Sequence, residues 1–219
     1  MPKLLVTLLL CLLTRVASAE EEEAPVPSPD KRWTYRVIDE TPAIVRADSD
    51  KVVLKLADPG DSMALRSGSV VWAPDSRRVA FNYRGGARTY ICAVYELAGG
   101  KWKALPEVVS EEAEAKVRPI IQRAEQRDRK RLGVAKSAYR RRIDDQWSVR
   151  RWINSDTFEV FVTSLGTVIV DKESEETAEI GGAVLFTAKC DNKGGWKITR
   201  LRELSDEEAS EIENALAGD

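Results

Sequence analysis

The chain has 219 residues, with 34 basic and 36 acidic side chains, a length that suits one medium domain or two small ones. It contains no histidine. That excludes Ser-His-Asp and Cys-His catalysis, histidine-ligated zinc and a histidine pH switch, leaving carboxylate chemistry, Ser-Lys chemistry, oxygen-ligated metals or binding without catalysis.

The chain opens with Lys3, an apolar run from Leu4 to Leu13 and the small-x-small triplet Ala17-Ser18-Ala19. The run is shorter than the about 20 apolar residues of a membrane span. Residues 1–19 are therefore predicted as a cleavable secretory signal, and the mature chain as exported, periplasmic or extracellular. Cys11 lies inside the apolar run, away from the cleavage point, and reads as a packing residue of the signal. Cleavage removes Lys3 and Arg15 and leaves 32 basic against 36 acidic residues. Residues 20–30, EEEEAPVPSPD, combine acids and prolines and predict an extended spacer.

A first β meander is predicted over 31–109. Its short strands are WTYRVI, AIVRA, KVVLKLA, SVVWA, RRVAFNY, TYICAVYEL and KWKAL. They are broken by the turn-formers Asp58-Pro59-Gly60-Asp61, Ala73-Pro74-Asp75-Ser76, Arg84-Gly85-Gly86 and Gly99-Gly100. Such spacing implies antiparallel meanders rather than βαβ units. In RRVAFNY the alternation of Val79, Phe81 and Tyr83 with Arg78, Ala80 and Asn82 predicts a half-buried strand.

The character changes over 110–147. Val117, Ile121, Ala124, Leu132, Ala135, Tyr139 and Ile143 recur at helical spacing and predict a long surface helix. Ser110 is its expected N-cap, Glu111, Glu112 and Glu114 suit its N-terminus, Pro119 sits in a first turn or a kink, and Gly133 is a possible break. A second meander follows over 148–204 with SVRRWI, TFEVFVTSL, TVIVD, GGAVLFTAKCD and GWKITRLREL. Residues 205–219 carry a capping box, Ser205 to Glu208, and predict a short acidic helix with a Leu204–Ala209 staple. The expected class is mainly β (α+β): two related antiparallel blade-like meanders separated by a long basic helix, arranged as an incomplete propeller or a sandwich.

The two meanders look like copies. Trp72 precedes Phe81 by nine residues, as Trp152 precedes Phe161, and each unit closes on a Gly-Gly turn with a tryptophan, Gly99-Gly100-Lys101-Trp102 and Gly194-Gly195-Trp196. The stretch Val71-Trp72-Ala73-Pro74-Asp75-Ser76-Arg77-Arg78-Val79-Ala80-Phe81 resembles the WD-like β-propeller repeat of Tol-type periplasmic proteins. Ala73 and Ser76 stand where that motif carries serine and glycine, and the second copy, over 151–161, has Ile153-Asn154-Ser155 in place of the Pro-Asp turn. The resemblance implies a blade-like sheet and surface binding, and it carries no catalytic residues. A helix of this length leaves too little chain for four complete blades of 40–45 residues.

Residues 116–142 hold eleven basic side chains against Glu125 and Asp128. Arg123, Arg127, Lys130, Arg131, Arg140 and Arg141 are the candidate anion- or partner-binding residues, and an envelope protein or an anionic surface is the candidate partner. Alternatives are a solvated helix and neutralisation by the acidic C-terminal helix; export disfavours nucleic acid. Cys92 and Cys190 lie in predicted strands and form either a disulfide or two buried thiols. Asp75 and Asp156 read as turn aspartates, and Asp48-Ser49-Asp50 and Asp191-Asn192-Lys193-Gly194 as hairpin turns rather than calcium loops. Trp33 and Trp147 fall outside the repeat and are the free candidates for a sugar-stacking platform. No phosphate loop, dinucleotide fingerprint or nucleophile elbow occurs. No catalytic, metal or cofactor residue is assigned, and a non-catalytic binding or scaffolding role follows. A carboxylate hydrolase acting on glycans and a surface-associated protein held by the basic helix are the alternatives.

Overall fold

A computed structural model describes residues 25–56, 68–136, 138–171 and 173–217. The predicted signal, 1–19, the acidic start of the predicted spacer and the predicted turn at 58–61 lie outside them. The described chain is mainly β and folds as three successive four-stranded antiparallel meanders. The first comprises β1 (Val26–Pro27), β2 (Trp33–Ile38), β3 (Thr41–Arg46) and β4 (Val52–Lys55). The second comprises β5 (Gly68–Trp72), β6 (Arg78–Gly86), β7 (Thr89–Ala98) and β8 (Lys101–Ala104). Helix α1 (Glu111–Arg131) leads to the third, β9 (Arg141–Asn154), β10 (Thr157–Asp171), β11 (Glu176–Cys190) and β12 (Trp196–Glu203), and α2 (Asp206–Ala217) ends the described chain.

The second and third meanders join at one corner, where Thr89 and Tyr90 of β7 pair in parallel with Asp145 and Gln146 of β9. Beyond that corner the strands diverge, and the wedge between them is the main core. Ala80, Cys92 and Val94 face Val149, Trp152, Phe158 and Val160 across it. On its other side the second meander packs Val79 and Phe81 against Tyr35, Ile44 and Leu56 of the first. The middle meander is thus buried on both faces, and β6 is not the half-buried strand its alternation implied; its polar face is covered by the third meander.

Side chains stitch these layers by bonding backbone. The Asn82 amide donates to Val149 O at 2.9 Å and accepts from Val149 N at 2.8 Å. The Trp152 indole donates to Val71 O, the Tyr35 hydroxyl to Gly68 O and the Tyr95 hydroxyl to Leu56 O. Arg78 reaches Ser155 O at 2.6 Å while its guanidinium also pairs with Glu96. Burial pushes the Tyr95 phenol up to about 12, so it stays a donor at neutral pH.

Helix α1 is shorter than its apolar spacing predicted. Ser110 caps it, accepting from Ala113 N. Gly133, at φ +68°, ends it in a Schellman turn: Gly133 N donates to Lys130 O and Val134 N to Arg129 O. Leu132, Ala135, Tyr139 and Ile143 continue the spacing but not the helix. Arg141–Asn154 is drawn into β9 by pairing with β10, and Tyr139 is 82 % exposed. Pro119 lies in mid-helix rather than in a first turn.

The buried stripe Ala113, Val117, Ile121 and Ala124 rests on β11. Gly182 allows the approach, because a Cβ there would come within 2.7 Å of Ala124 Cβ. Helix α2 lies on the opposite face of the third meander. Ile212 and Leu204 pack on Phe161 and Leu185, with Ala209 and Leu216 beside them. The capping box forms as expected, Glu208 N donating to the Ser205 hydroxyl and Ser205 N to the Glu208 carboxylate.

The strand path repeats, but the ring matching does not. Trp72 and Phe81 share one face, toward the first meander. Trp152 faces the main core, tilted on Phe158 at 5.1 Å, whereas Phe161 faces α2. Register shifts in the β9–β10 pairing change which residues share a face, so equal sequence spacing does not give equal surroundings. In the motif turn Ser76 adopts φ +58°, the conformation glycine takes without strain, and its buried hydroxyl accepts from Asp30 N. The later part of the spacer is therefore pinned: Val26–Pro27 pair with β2 and Ser28 is buried.

Candidate functional site

The basic residues of 116–142 do not form one continuous face. Lys116 and Arg118 pair with Glu112 and Glu114 one turn back. Arg127 pairs with Glu203 of β12, Arg131 with Asp128, and Arg142 with Asp145. Arg140 lies across Gly166, where a Cβ would collide with its guanidinium, and it binds Glu125 and the Ser164 hydroxyl. Arg129 is 8 % exposed and donates to the carbonyls of Ala135 and Ala138, holding the chain that leaves the helix.

Arg123, Lys130, Lys136 and Arg141 have no acidic partner among the described residues. Arg123, Lys130 and Lys136 surround an open groove of about 580 Å³ with Gln126, Arg127, Arg129 and Val134. The structure thus brings together Arg123, Arg127 and Lys130 of the sequence candidates. It places Arg131 on the helix surface, Arg140 in a neighbouring cleft and Arg141 on β9, beside Tyr139 and Arg142. Lys136, past the helix end, was not among the candidates; only the turn at Gly133 brings it back beside the last helical residues. The acidic helix α2 packs on the other face of the sheet, yet its first residue, Asp206, adds to the Glu203 hydrogen bond that raises the Arg127 guanidinium.

The cleft lies between α1 and strands β9 and β10, with a volume of about 310 Å³. Val117, Ile121, Trp147 and Val162 form its apolar floor. Asp145 accepts from the Ser164 hydroxyl at 2.6 Å, and Ser164 in turn accepts from Arg140.

The carboxylates singled out by sequence hold turns. Asp75 accepts from Arg77 N, and Asp191 from Lys193 N and Gly195 N, bonds that hold the Asp191 carboxyl below its usual range. The Thr157 hydroxyl does the same for Asp156. Asp48 and Asp50 pair with Arg46 and Arg36. No group of three metal-ligating side chains forms among the described residues.

Among the described residues two carboxyls are shifted upward, Asp144 and Glu213, both chiefly by burial; Asp144 and Glu179 add to the shift at Glu213. Neither lines the groove or the cleft. Cys92 and Cys190 are free and buried rather than bonded, with burial pushing their thiols up to about 12 and about 11. Trp33 packs edge-on against Trp102 and is no open stacking platform. No helix among the described residues is long and apolar enough to cross a membrane.

No family model matches the chain, and no curated protein matches it. Among solved structures it is similar to Hsv2 of Kluyveromyces lactis, at 10 % identity and a TM-score of 0.34, over 86 % of this chain and 50 % of that one. It is also similar to a protein assigned as TolB of Agrobacterium tumefaciens, at 11 % identity and a TM-score of 0.30, over 84 % of this chain and 61 % of that one. The chain therefore spans about half to three fifths of these neighbours, and the blade-like description rests on its own strand order.

Proposed function

We propose that this is an exported, non-catalytic binding or scaffolding protein that holds an acidic segment of a partner protein in the groove at the C-terminal end of α1. The observation that carries the reading is the set Arg123, Lys130 and Lys136, unpaired around one concavity, while the other basic residues of α1 are engaged in ion pairs or backbone bonds. The last helical turn favours cations by itself, since the helix dipole places negative charge there. That explains Arg129–Arg131 but not Arg123 or Lys136, which lie outside the turn.

Val134 is the sole apolar residue lining the groove, too little for the apolar face by which a helix inserts into lipid, which favours a protein partner over a membrane. The arginine-paired carboxylates of the cleft favour binding over glycan hydrolysis, which needs two carboxyls free to face one bond. Binding of the mature chain to soluble poly-glutamate, followed by calorimetry at low and high salt, tests the reading. Salt-sensitive binding that Lys130→Glu abolishes supports it; binding that survives that substitution refutes it.

A further inference from the structure

The cleft between α1 and strands β9 and β10 is chemically unlike the groove. Trp147 is 9 % exposed, yet its indole N–H donates to nothing among the described residues. Trp72, Trp152 and Trp196 all donate to backbone carbonyls, as indoles inside proteins ordinarily do. Trp33 and Trp102 also lack an acceptor, but their nitrogens are sealed inside an apolar cluster. The Trp147 nitrogen is not sealed, and its ring borders the cleft. Arg140 Nε, 2.9 Å from Glu125 Oε1, is sealed like the Trp33 and Trp102 nitrogens and offers the cleft no donor.

The acids of the cleft are each matched by an arginine, Glu114 by Arg118, Glu125 by Arg140 and Asp145 by Arg142. A site so balanced offers no net attraction to a free anion or cation. It offers interleaved donors and acceptors around an apolar floor, which suits a ring with one apolar face and several hydroxyls. Its volume of about 310 Å³ holds one such ring and not a chain of them.

We propose that this cleft binds a single neutral sugar residue, with hydroxyls shared among the Trp147 N–H, Gln122 and Glu125. The site binds and does not hydrolyse, because each of its carboxylates is engaged by an arginine and none stands free toward a leaving group. The groove's role is independent of this.

The test is nuclear magnetic resonance of the indole N–H signals of the 15N-labelled mature chain, titrated separately with methyl glycosides of glucose, galactose, mannose and N-acetylglucosamine. The signal missing from Trp147→Phe identifies Trp147. The expected result is a saturable shift of that signal with at least one glycoside, and none at Trp33 or Trp102. Gln122 is exposed on the helix, where substitution ordinarily costs little stability. Gln122→Ala should weaken the binding roughly two- to tenfold, the effect of one hydrogen bond. No saturation with any glycoside up to about 50 mM, where even a Kd of several millimolar would show, overturns the proposal. So does unchanged affinity in Gln122→Ala, or saturation by free glutamate with none by glycosides.

Discussion

Asn82 should be the most costly polar side chain to remove from this fold. Past Gln146, strand β9 leaves its parallel partner β7, so the outer edge of its backbone has no ladder to join. The Asn82 amide takes the place of the missing strand, meeting both the N–H and the C=O of Val149. Asn82 is 8 % exposed and Val149 is fully buried, so water cannot substitute. Asn82→Ala would strand one donor and one acceptor, at about 1–3 kcal/mol each, and should cost about 2–6 kcal/mol. Asn82→Asp should cost more still, because it turns a carboxylate toward the Val149 carbonyl and buries a charge. Urea unfolding with linear extrapolation measures both, and the loss should appear in the midpoint with little change in slope. A loss under about 0.5 kcal/mol for Asn82→Ala, typical of surface positions, would refute the claim that this amide joins the second and third meanders.

Further outcomes follow from the same packing. Gly182→Ala would place a methyl group 2.7 Å from Ala124 Cβ, lifting α1 from β11 at a cost of about 1–3 kcal/mol, read by urea unfolding. Cys92 and Cys190 should resist thiol reagents in the folded protein and react once it is unfolded, and reductant should leave the thermal midpoint unchanged.

Glu213 has its carboxyl raised by burial against Asp144 and Glu179, so its contribution is fully present below the unfolded value and is lost as pH rises through the folded one. Glu213→Gln should therefore stabilise the protein at neutral pH and remove part of the stability lost as pH rises above the ordinary carboxylate range. Glu208 acts in the opposite sense. Its lowered carboxyl, held by Ser205 N and Arg202, loses its contribution as pH falls, so Glu208→Gln should matter at neutral pH and not in acid.

Much of the strand path was legible because turn chemistry punctuates it. The glycines at 99–100 and 194–195 and the Pro74-Asp75 turn mark reversals that local sequence alone can specify. The Ser110 and Ser205 caps were equally visible, since a cap is set within four residues. The first four-stranded unit was harder to see, because β1 is two residues long and borrows its place from β2. The overlong helix arose because Leu132, Ala135, Tyr139 and Ile143 satisfy a period that Gly133 and the pull of β10 override.

The site was less legible for a related reason. Charge density over 116–142 is a property of sequence, but which cations stay unpaired depends on acids supplied by distant segments, such as Glu203 beside Arg127. Trp147 was singled out by its place outside the repeat, but its unpaired N–H was not, because the partner of an indole depends on distant segments.

The binding claim is tested most directly by poly-glutamate calorimetry on the chain from residue 20 onward carrying Arg123→Glu, Lys130→Glu and Lys136→Glu together. A matched control reverses Lys116, Arg118 and Arg46, three cations that carry the same formal charge but stand in ion pairs away from the groove. Loss of binding in the triple variant with retention in the control is the predicted result. Equal loss in both would mean that net charge alone governs binding, and retention in the triple variant would mean that the groove is not where the acidic segment sits.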